Sequence, residues 1–222
     1  RPPFIQMSKS HGRAPLAFSF IGLIFVDLSF KVHEFGYYRL PYRTVGCGKV
    51  QAAGNKCFKG GSMNVLIMYY SKGGNTRKLA EAIAEGVGQV DGAEAVLRHT
   101  RDVSKDDFVS ADGLIVGSPV YFGTMAAQLK QVLDEFVGVR RKMENKVGAA
   151  FSTSGDASGG KETTMMSIIQ ALLIYGMIVV GDPMSATGHY GTACAGAPDA
   201  EIRENGRQLG RRVAELVKRL FR

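Results

Sequence analysis

Residues 63–76, Met-Asn-Val-Leu-Ile-Met-Tyr-Tyr-Ser-Lys-Gly-Gly-Asn-Thr, join a short apolar run to a polar turn that contains two glycines. The run Val65–Tyr70 is continuously apolar, as expected for a parallel β-strand that is covered on both faces. After the turn, Leu79, Ile83 and Val87 recur at helical spacing. A strand, a turn and a helix in this order are typical of an α/β protein.

The same alternation continues to the end of the chain. Short apolar runs predict further strands at Gly113–Gly117, Val147–Phe151 and Met177–Val180, and Ala95–His99, with its charged end, predicts an edge strand. Helices are predicted around Lys105–Ala111, Leu129–Phe136, Glu162–Leu173 and Leu209–Leu220, with Leu216 in the stripe of the last one and Asp199 as its N-cap. These elements predict an α/β fold with five parallel strands and helices on both faces of the sheet.

Residues 1–62 differ in charge from the rest of the chain. They hold 9 of the 28 basic and 2 of the 20 acidic side chains, so residues 63–222 hold 19 basic and 18 acidic ones. Residues 1–62, the leader, therefore carry +7 (9 − 2) of the net charge of +8, and residues 63–222 carry only +1 (19 − 18). The charge of the chain thus indicates no nucleic-acid partner for residues 63–222. We expect residues 1–62 to have no stable fold, with Met63 as the natural start and residues 63–222 as one domain.

Two further patterns bear on compartment and membrane. The apolar run Leu16–Phe30 in the leader is interrupted by Gly22 and Asp27 and is shorter than the roughly 20 residues of a membrane span. The cysteines, Cys47, Cys57 and Cys194, form no C-x-x-C pair and no metal-ligand set with histidine. We therefore expect no membrane span, no metal site and no disulfide framework, with the protein in a reducing cytoplasm and Cys194 as a buried or loop residue.

A ligand of an open α/β sheet lies beyond the carboxyl ends of its strands. The first loop there consists of Ser71, Lys72, Gly73, Gly74, Asn75 and Thr76. Curled backbone N–H groups, two hydroxyls and a helix N-terminus suit a phosphate group. The alternative is a polar turn in which Asn75 or Thr76 is the N-cap. The chain lacks the phosphate-loop motif of nucleotide hydrolases and the G-x-G-x-x-G of dinucleotide-binding folds, so both classes are disfavoured.

Two more loops at predicted strand ends contain glycine and hydroxyl side chains. The second loop, Ser118, Pro119, Val120, Tyr121, Phe122, Gly123 and Thr124, presents two aromatic rings that suit a flat tricyclic flavin, or else form a plug over the sheet. The third comprises Ser152, Thr153, Ser154 and Gly155, then Gly159 and Gly160. It suits the polar edge of a ligand, or else is a flexible linker.

Taken as an ordered set, these residues resemble the flavodoxin-like FMN proteins, and within them the tryptophan-repressor-binding-protein family of NAD(P)H:quinone oxidoreductases. The matching residues are Tyr69-Tyr70-Ser71 and Gly74, Pro119, Phe122-Gly123 and Met125, Gly159-Gly160 and Glu162-Thr163-Thr164, Gly176-Met177, and Tyr190-Gly191 with Ala195-Gly196. The resemblance implies a three-layer sandwich with sheet order 2-1-3-4-5. It also implies that the first loop binds the FMN phosphate while the second and third loops hold the flavin ring.

The resemblance further implies NAD(P)H as co-substrate and a small quinone-like molecule as electron acceptor. It places His189 and Tyr190 near the flavin, where His189 would donate a proton to the reduced quinone; the alternative is a loop histidine without a role. Tyr175 stands where family members often have histidine, a change expected to affect nicotinamide or quinone access.

The alternative functions are a flavodoxin-type one-electron carrier without nicotinamide activity and a scaffold that has lost FMN. A protein redox partner and a homo-oligomer stay open.

Overall fold

The computed structural model of this chain describes residues 62–222. Residues 1–61 lie outside the described residues, and with them Cys47, Cys57 and the run Leu16–Phe30. The expectations for the leader therefore stay predictions.

The described chain alternates strands and helices as the periodicity predicts. Its strands are β1 (Met63–Tyr69), β2 (Ala93–His99), β3 (Gly113–Pro119), β4 (Val147–Ser154), β5 (Ile178–Val179) and β6 (Gly191–Ala195). Its α-helices are α1 (Asn75–Val87), α2 (Lys105–Ser110), α3 (Ala127–Glu135), α4 (Lys161–Ile174) and α5 (Ala200–Phe221), and a 3-10 helix covers Val137–Lys142. Among residues 62–222, no helix combines the length and apolar composition that a membrane crossing requires.

All strands are parallel, in the order β2-β1-β3-β4-β5, which confirms the predicted sheet and places β2 at its edge. The prediction of five strands needs one correction. The fifth position is shared by two segments, because β5 pairs with Val147–Gly148 at the start of β4 and β6 pairs with Ala150–Ser154 at its end. Residues 180–190 form a connection between these segments, so the edge strand is interrupted.

Each face of the sheet has its own hydrophobic core. On one face α1 and α5 bury Leu79, Ile83, Leu209 and Val213 against β1, β3 and β4. On the other face the helices α2, α3 and α4 contribute the buried Phe108, Leu129, Leu133, Ile168 and Leu172. Because the strands are covered on both faces, they contain continuous apolar runs rather than alternating ones.

Local sequence determines where α5 begins. Asp199 is its N-cap, as predicted, and the side-chain Oδ1 accepts a hydrogen bond from the Ile202 N–H at 2.9 Å. The predicted apolar stripe of α5 is wrong at its end, since Leu220 is half exposed and Val217 is buried instead. The last turn of α5 carries Lys218 and Arg219, and Phe221 at its end packs partly buried against the core.

Candidate functional site

The first loop leaves the start of α1 without a side-chain cap. Gly74, in the left-handed conformation at φ 90°, is the N-cap, so the alternative in which Asn75 or Thr76 caps the helix is wrong. The Ser71 hydroxyl oxygen accepts hydrogen bonds from the N–H groups of Gly74 (3.1 Å) and Arg77 (3.4 Å). Glycine is suited to this position because its lack of a Cβ makes a positive φ inexpensive.

Four backbone N–H groups of this loop have no hydrogen-bond partner among residues 62–222, those of Lys72, Gly73, Asn75 and Thr76. N–H groups at the first turn of a helix have no partner within the helix, and the helix dipole makes this end positive. The positive charge of Lys72 adds to that field. The start of α1 is therefore an anion-binding site in its geometry.

The third loop meets the first through a buried pair of hydroxyl groups. Thr76 Oγ1 lies 2.8 Å from Thr153 Oγ1, and both side chains are almost fully buried. Thr153 also ties the second loop to the sheet, since its carbonyl accepts a hydrogen bond from the Val120 N–H at 2.8 Å. The three predicted loops are thus joined at Thr153.

The second loop contains a tight turn with two residues at positive φ. Tyr121 and Thr124 exchange two backbone hydrogen bonds of 3.0 and 3.1 Å, while Phe122 and Gly123 have φ values of 49° and 78°. A turn of this kind favours asparagine followed by glycine, so a phenylalanine at its first central position is strained. The Phe122 side chain is fully exposed and the Tyr121 side chain partly so.

The third loop is organised by the Asp156 carboxylate. Its Oδ1 accepts hydrogen bonds from the N–H and the hydroxyl of Ser158, at 2.9 and 2.8 Å. The bond from the Ser158 N–H lowers the pKa of Asp156 below its usual value. Gly160 follows as the left-handed N-cap of α4, and a Cβ there would lie 3.2 Å from Gly123 Cα in the second loop.

One cavity of about 220 Å³ lies between the three loops. Its lining consists of Ser71, Lys72, Gly73, Asn75, Thr76, Pro119, Val120, Tyr121, Thr153, Ser154 and Gly155, all of them predicted site residues. The other predicted residues, Gly74, Ser118, Phe122, Gly123, Thr124, Ser152, Gly159 and Gly160, support the loops without lining the cavity. We call this cavity the three-loop cleft.

The hydroxyl groups of two predicted site residues, Ser118 and Ser152, make hydrogen bonds inside the protein. Ser118 is fully buried, and its hydroxyl donates to the Pro119 carbonyl at 2.7 Å and accepts from the Ala126 N–H at 2.8 Å. Ser152, also fully buried, donates to the Ser118 carbonyl at 3.1 Å. These two hydroxyls are therefore occupied inside the protein, and the assignment of Ser118 and Ser152 to the cofactor site stays a prediction.

The structure does not bring His189 and Tyr190 to the three-loop cleft. They directly precede β6, which begins beside Ala150 of β4. At about 3.3 Å per residue, Ala150 lies about 13 Å along β4 from Ser154, where that strand ends. They line a separate cavity of about 230 Å³ that shares no residue with the cleft. His189 and Tyr190 are thus not brought together with the cleft residues, and their expected place near the flavin stays a prediction.

Tyr175 also lies away from the cleft. Tyr175 is the C-cap of α4 and is followed by β5, which pairs with the start of β4, whereas the cleft lies at the carboxyl end of β4. The Tyr175 hydroxyl donates to the Leu133 carbonyl at 2.5 Å. Burial raises the pKa of Tyr175 to about 12. The expected effect of Tyr175 on nicotinamide or quinone access is therefore not supported by its position.

Sequence reasoning missed His99 as a neighbour of the cleft. The Ser71 N–H lies 3.4 Å from its Nε2 and the Arg101 N–H lies 3.3 Å from its Nδ1, and only the ring nitrogen without a proton can accept. The His99 ring also packs against Tyr69 and Tyr70. No local motif marks this residue, because the contact with Ser71 spans 28 positions and depends on the pairing of β1 with β2.

A parallel sheet in this order, with an anion-binding turn after its first strand, defines a flavodoxin-like α/β protein. A family model described as NADPH-dependent FMN reductase matches residues 99–192, which contain the second and third loops. Among curated proteins, a flavodoxin of Aquifex aeolicus is 40% identical over 159 residues, covering 69% of this chain and 86% of that protein. An NAD(P)H dehydrogenase (quinone) of Archaeoglobus fulgidus is 31% identical over 188 residues, covering 70% of this chain and 98% of that protein.

Solved structures agree with these relatives. A flavodoxin, WrbA-like protein from Agrobacterium tumefaciens is 26% identical with a TM-score of 0.62, covering 71% of this chain and 99% of that chain. The chain belongs to the flavodoxin-like family that includes the WrbA-type NAD(P)H dehydrogenases (quinone). The predicted family and fold are thereby confirmed.

Proposed function

We propose that this protein is an oxidoreductase that binds FMN and passes electrons from NAD(P)H to a quinone. The observation that carries the cofactor assignment is the uncapped start of α1, where four N–H groups without partners lie beside the hydroxyls of Ser71 and Thr76. Such a group of donors suits a phosphate dianion. The relatives named NAD(P)H dehydrogenase (quinone) support the choice of electron donor and acceptor.

The shape of the three-loop cleft also fits FMN. No atom lies within 4 Å of the place where a Cβ would stand at Gly73 or Gly74, so a phosphate group can approach the backbone closely. Pro119–Tyr121 and Thr153–Gly155 line the remainder of the cleft, where a flavin ring would lie. Burial, with a smaller contribution from Tyr70, raises the pKa of Tyr121, so its hydroxyl stays neutral at physiological pH beside the ring.

These contacts define separate roles for the cofactor and for the protein. FMN, when bound, supplies the electron-transfer chemistry, while the protein binds and orients it. Lys72 and the N–H groups of the first loop would hold the phosphate, and Tyr121, which lines the same cleft, would cover part of the ring.

A flavodoxin-type one-electron carrier is the second candidate, and the 40% identical flavodoxin of Aquifex aeolicus favours it. Carriers of this kind tend to be acidic, because negative charge guides docking to basic partners. Residues 63–222 are almost neutral, with 19 basic and 18 acidic side chains, and Lys72 lies in the first loop. This balance of charge supports the enzyme over the carrier.

One set of measurements separates the two functions. The full chain is expected to purify yellow, or to become yellow with FMN, and anaerobic NADH or NADPH should bleach it until a quinone restores the colour. A yellow protein that dithionite bleaches but neither nucleotide does would favour the carrier. A protein that remains colourless with excess FMN would contradict both functions.

Three further assignments are also proposals. A cytoplasmic location is supported by Cys194, a buried thiol whose pKa is raised by burial and which has no disulfide partner among the described residues.

A homo-oligomer is supported by Leu173 and Ile174 on α4, which are more than half exposed. Size-exclusion chromatography of the full chain tests it. A protein redox partner belongs with the carrier function.

A further inference from the structure

The cavity that contains His189 lies at the open edge of the sheet, apart from the three-loop cleft. Its volume is about 230 Å³. Strand β6 forms this edge, since within residues 62–222 it pairs only with β4. The start of α4 contributes Lys161 and Glu162 to the lining, and the start of α5 contributes Ile202 and Asn205. We call this space the edge cavity.

A buried carboxylate fixes the wall of the edge cavity that residues 182–190 form. Asp182 is 2% exposed, and its carboxylate accepts hydrogen bonds from the Thr187 N–H (3.0 Å), the Thr187 hydroxyl and the His189 N–H (2.7 Å). Arg212 donates to the Asp182 carbonyl at 2.7 Å. Because a buried carboxylate is costly unless its hydrogen bonds are made, these contacts hold the wall in one conformation.

One buried polar side chain faces the edge cavity without a partner. Asn205 is only 8% exposed, yet its side-chain amide makes no hydrogen bond within residues 62–222. Its backbone carbonyl alone is engaged, by the Thr192 hydroxyl at 3.2 Å. The amide is not sealed inside the protein, since Thr164 Oγ1 is the one side-chain polar atom of the described residues that is both buried and unpaired. The Asn205 amide therefore opens onto the cavity, where it can both donate and accept.

Opposite charges lie next to each other at the start of α4. Lys161 donates to the Ala157 carbonyl at 2.7 Å, which leaves two of its ammonium hydrogens for other acceptors. Glu162 makes no hydrogen bond within the described part of the chain, and neither side chain forms an ion pair there. The Glu162 carboxylate disfavours a phosphate or another dianion, and the Lys161 ammonium disfavours a simple amine. A molecule with one charge of each sign can pair with both side chains.

The remainder of the edge cavity is lined by apolar side chains. Met165 is 3% exposed, and Ala193 and Ile202 are partly buried. The cavity is smaller than the roughly 300 Å³ at which sites for drug-sized ligands begin. The ligand that fits is therefore small and carries a short apolar group beside its two charges.

We propose that the edge cavity binds a free α-amino acid with a small apolar side chain. The ligand carboxylate accepts hydrogen bonds from Lys161 and from the Asn205 amide, and the ligand ammonium group pairs with Glu162. The ligand side chain lies against Met165. This site is distinct from the proposed flavin site, because the edge cavity and the three-loop cleft share no lining residue.

Titration of the full chain with L-valine tests the site by NMR. At up to about 10 mM L-valine, the amide signals of Lys161, Ala193 and Asn205 should shift and saturate. Two analogues test the need for both charges: 3-methylbutanoate lacks the ammonium group, and isobutylamine lacks the carboxylate. Each should bind at least tenfold more weakly than L-valine. Shifts that do not saturate or that lie elsewhere would overturn the proposal, as would equal binding of L-valine and either analogue.

A pair of matched glutamate variants tests the charge contact. Glu162→Gln is expected to weaken L-valine binding about tenfold, because it removes a charge-assisted hydrogen bond. Glu201→Gln is the control, since Glu201 stands in the first turn of α5 as Glu162 does in that of α4 but does not line the cavity. Equal effects of the two substitutions would contradict the assignment.

Asn205→Leu tests the unpartnered amide. We expect it to weaken L-valine binding about tenfold, because a hydrogen bond to the ligand carboxylate is lost. The thermal midpoint should not fall, since the amide makes no hydrogen bond within residues 62–222. A folded Asn205→Leu protein that binds L-valine as tightly as the natural protein would overturn the proposal, and the Glu162→Gln result decides it if this variant does not fold.

Discussion

Thr76 shows how a single side chain can serve both the fold and the ligand. It stands in the first turn of α1, almost fully buried, with its hydroxyl 2.8 Å from that of Thr153. Within that pair only one hydroxyl donates, so the other hydroxyl hydrogen is free for another acceptor. The adjacent cleft makes a phosphate oxygen the natural acceptor.

Replacement of this hydroxyl tests the phosphate site. Thr76→Val keeps the shape of the side chain but removes its hydrogen bond, and we expect the dissociation constant of FMN to rise roughly tenfold, since a hydrogen bond to a charged group contributes about 1.5 kcal/mol or more. Thr76→Ser, which retains the hydroxyl, is the matched control and should bind FMN nearly as tightly as the natural protein. Fluorescence titration of apoprotein with FMN measures both; equal affinity for the Val and Ser variants would contradict the assignment.

His99 illustrates a residue whose importance only its neighbours reveal. Two backbone N–H groups, from Ser71 and Arg101, point at its two ring nitrogens. A neutral imidazole has only one nitrogen that can accept, and an imidazolium has none. The two contacts therefore compete for one lone pair. The hydrogen bond from Ser71 requires that the proton stay on Nδ1.

At the scale of elements, α2 shows a short helix that depends on its first turn. The Ser104 hydroxyl accepts from the Asp107 N–H at 3.0 Å, and Asp107 Oδ2 accepts from the Ser104 N–H at 3.0 Å. This reciprocal capping compensates for a helix of six residues that could not form alone. The hydrogen bond from the Ser104 N–H lowers the pKa of Asp107.

The depressed pKa of Asp107 leads to a pH-dependent prediction. A carboxylate whose pKa is lower in the folded than in the unfolded state stabilises the fold above the unfolded pKa, near 4, and loses that contribution as pH falls through the folded pKa. Asp107→Asn should therefore lower the free energy of unfolding by about 1 kcal/mol at pH 7 and by much less near pH 3. Urea denaturation measures both values.

The control for this substitution is Asp106→Asn, in the same helical turn. Asp106 makes no side-chain hydrogen bond to the described residues, so its replacement should have a smaller effect that comes from the helix dipole alone. The same loss for both variants, or a loss for Asp107→Asn that does not depend on pH, would be incompatible with the capping argument.

Helix packing depends on glycines whose role the periodicity does not reveal. A Cβ at Gly86 would lie 2.0 Å from the Arg207 carbonyl oxygen, and one at Gly210 would lie 2.1 Å from that of Ile83. These glycines let α1 and α5 approach backbone to backbone on one face of the sheet. Gly86 and Gly210 both lie inside helices, where the low helix propensity of glycine alone would disfavour them.

At the scale of the whole molecule, both hydrophobic cores are built from residues 63–222. The two cores extend from Met63 on β1 to Val217 on α5 and cover both faces of the sheet. Residues 63–222 are numerous enough to bury cores of this kind without a further segment. The cores formed by the described residues are therefore of the kind that a domain of this size requires.

This view predicts that a chain starting at Met63 folds without residues 1–62. We expect its thermal midpoint to lie within about 2 °C of that of the full chain, a shift well below 1 kcal/mol, and its affinity for FMN to be unchanged. Circular dichroism melts and FMN titrations of both proteins measure these quantities. Aggregation, loss of the thermal transition or weakened FMN binding in the shorter chain would assign the leader a structural role.

Much of the fold follows from local rules, since apolar runs, helical spacing and the Asp199 cap act within a few residues. For the same reason the three loops could be located at strand ends, and every residue that lines the three-loop cleft was predicted. Contacts between residues that are distant in the chain could not be predicted in this way. Ser118 and Ser152 pair across two strands, and the positions of His189 and Tyr190 follow from how β6 joins β4.

The amino-acid sequence by itself therefore determined which segments are strands and helices and which turns can bind an anion, because these properties depend on neighbouring residues. Tertiary structure alone decided which hydroxyls line the three-loop cleft and that His99 lies beside the first loop. A side chain's hydrogen-bonding capacity is satisfied by whatever lies beside it in space, and strand pairing sets that neighbour.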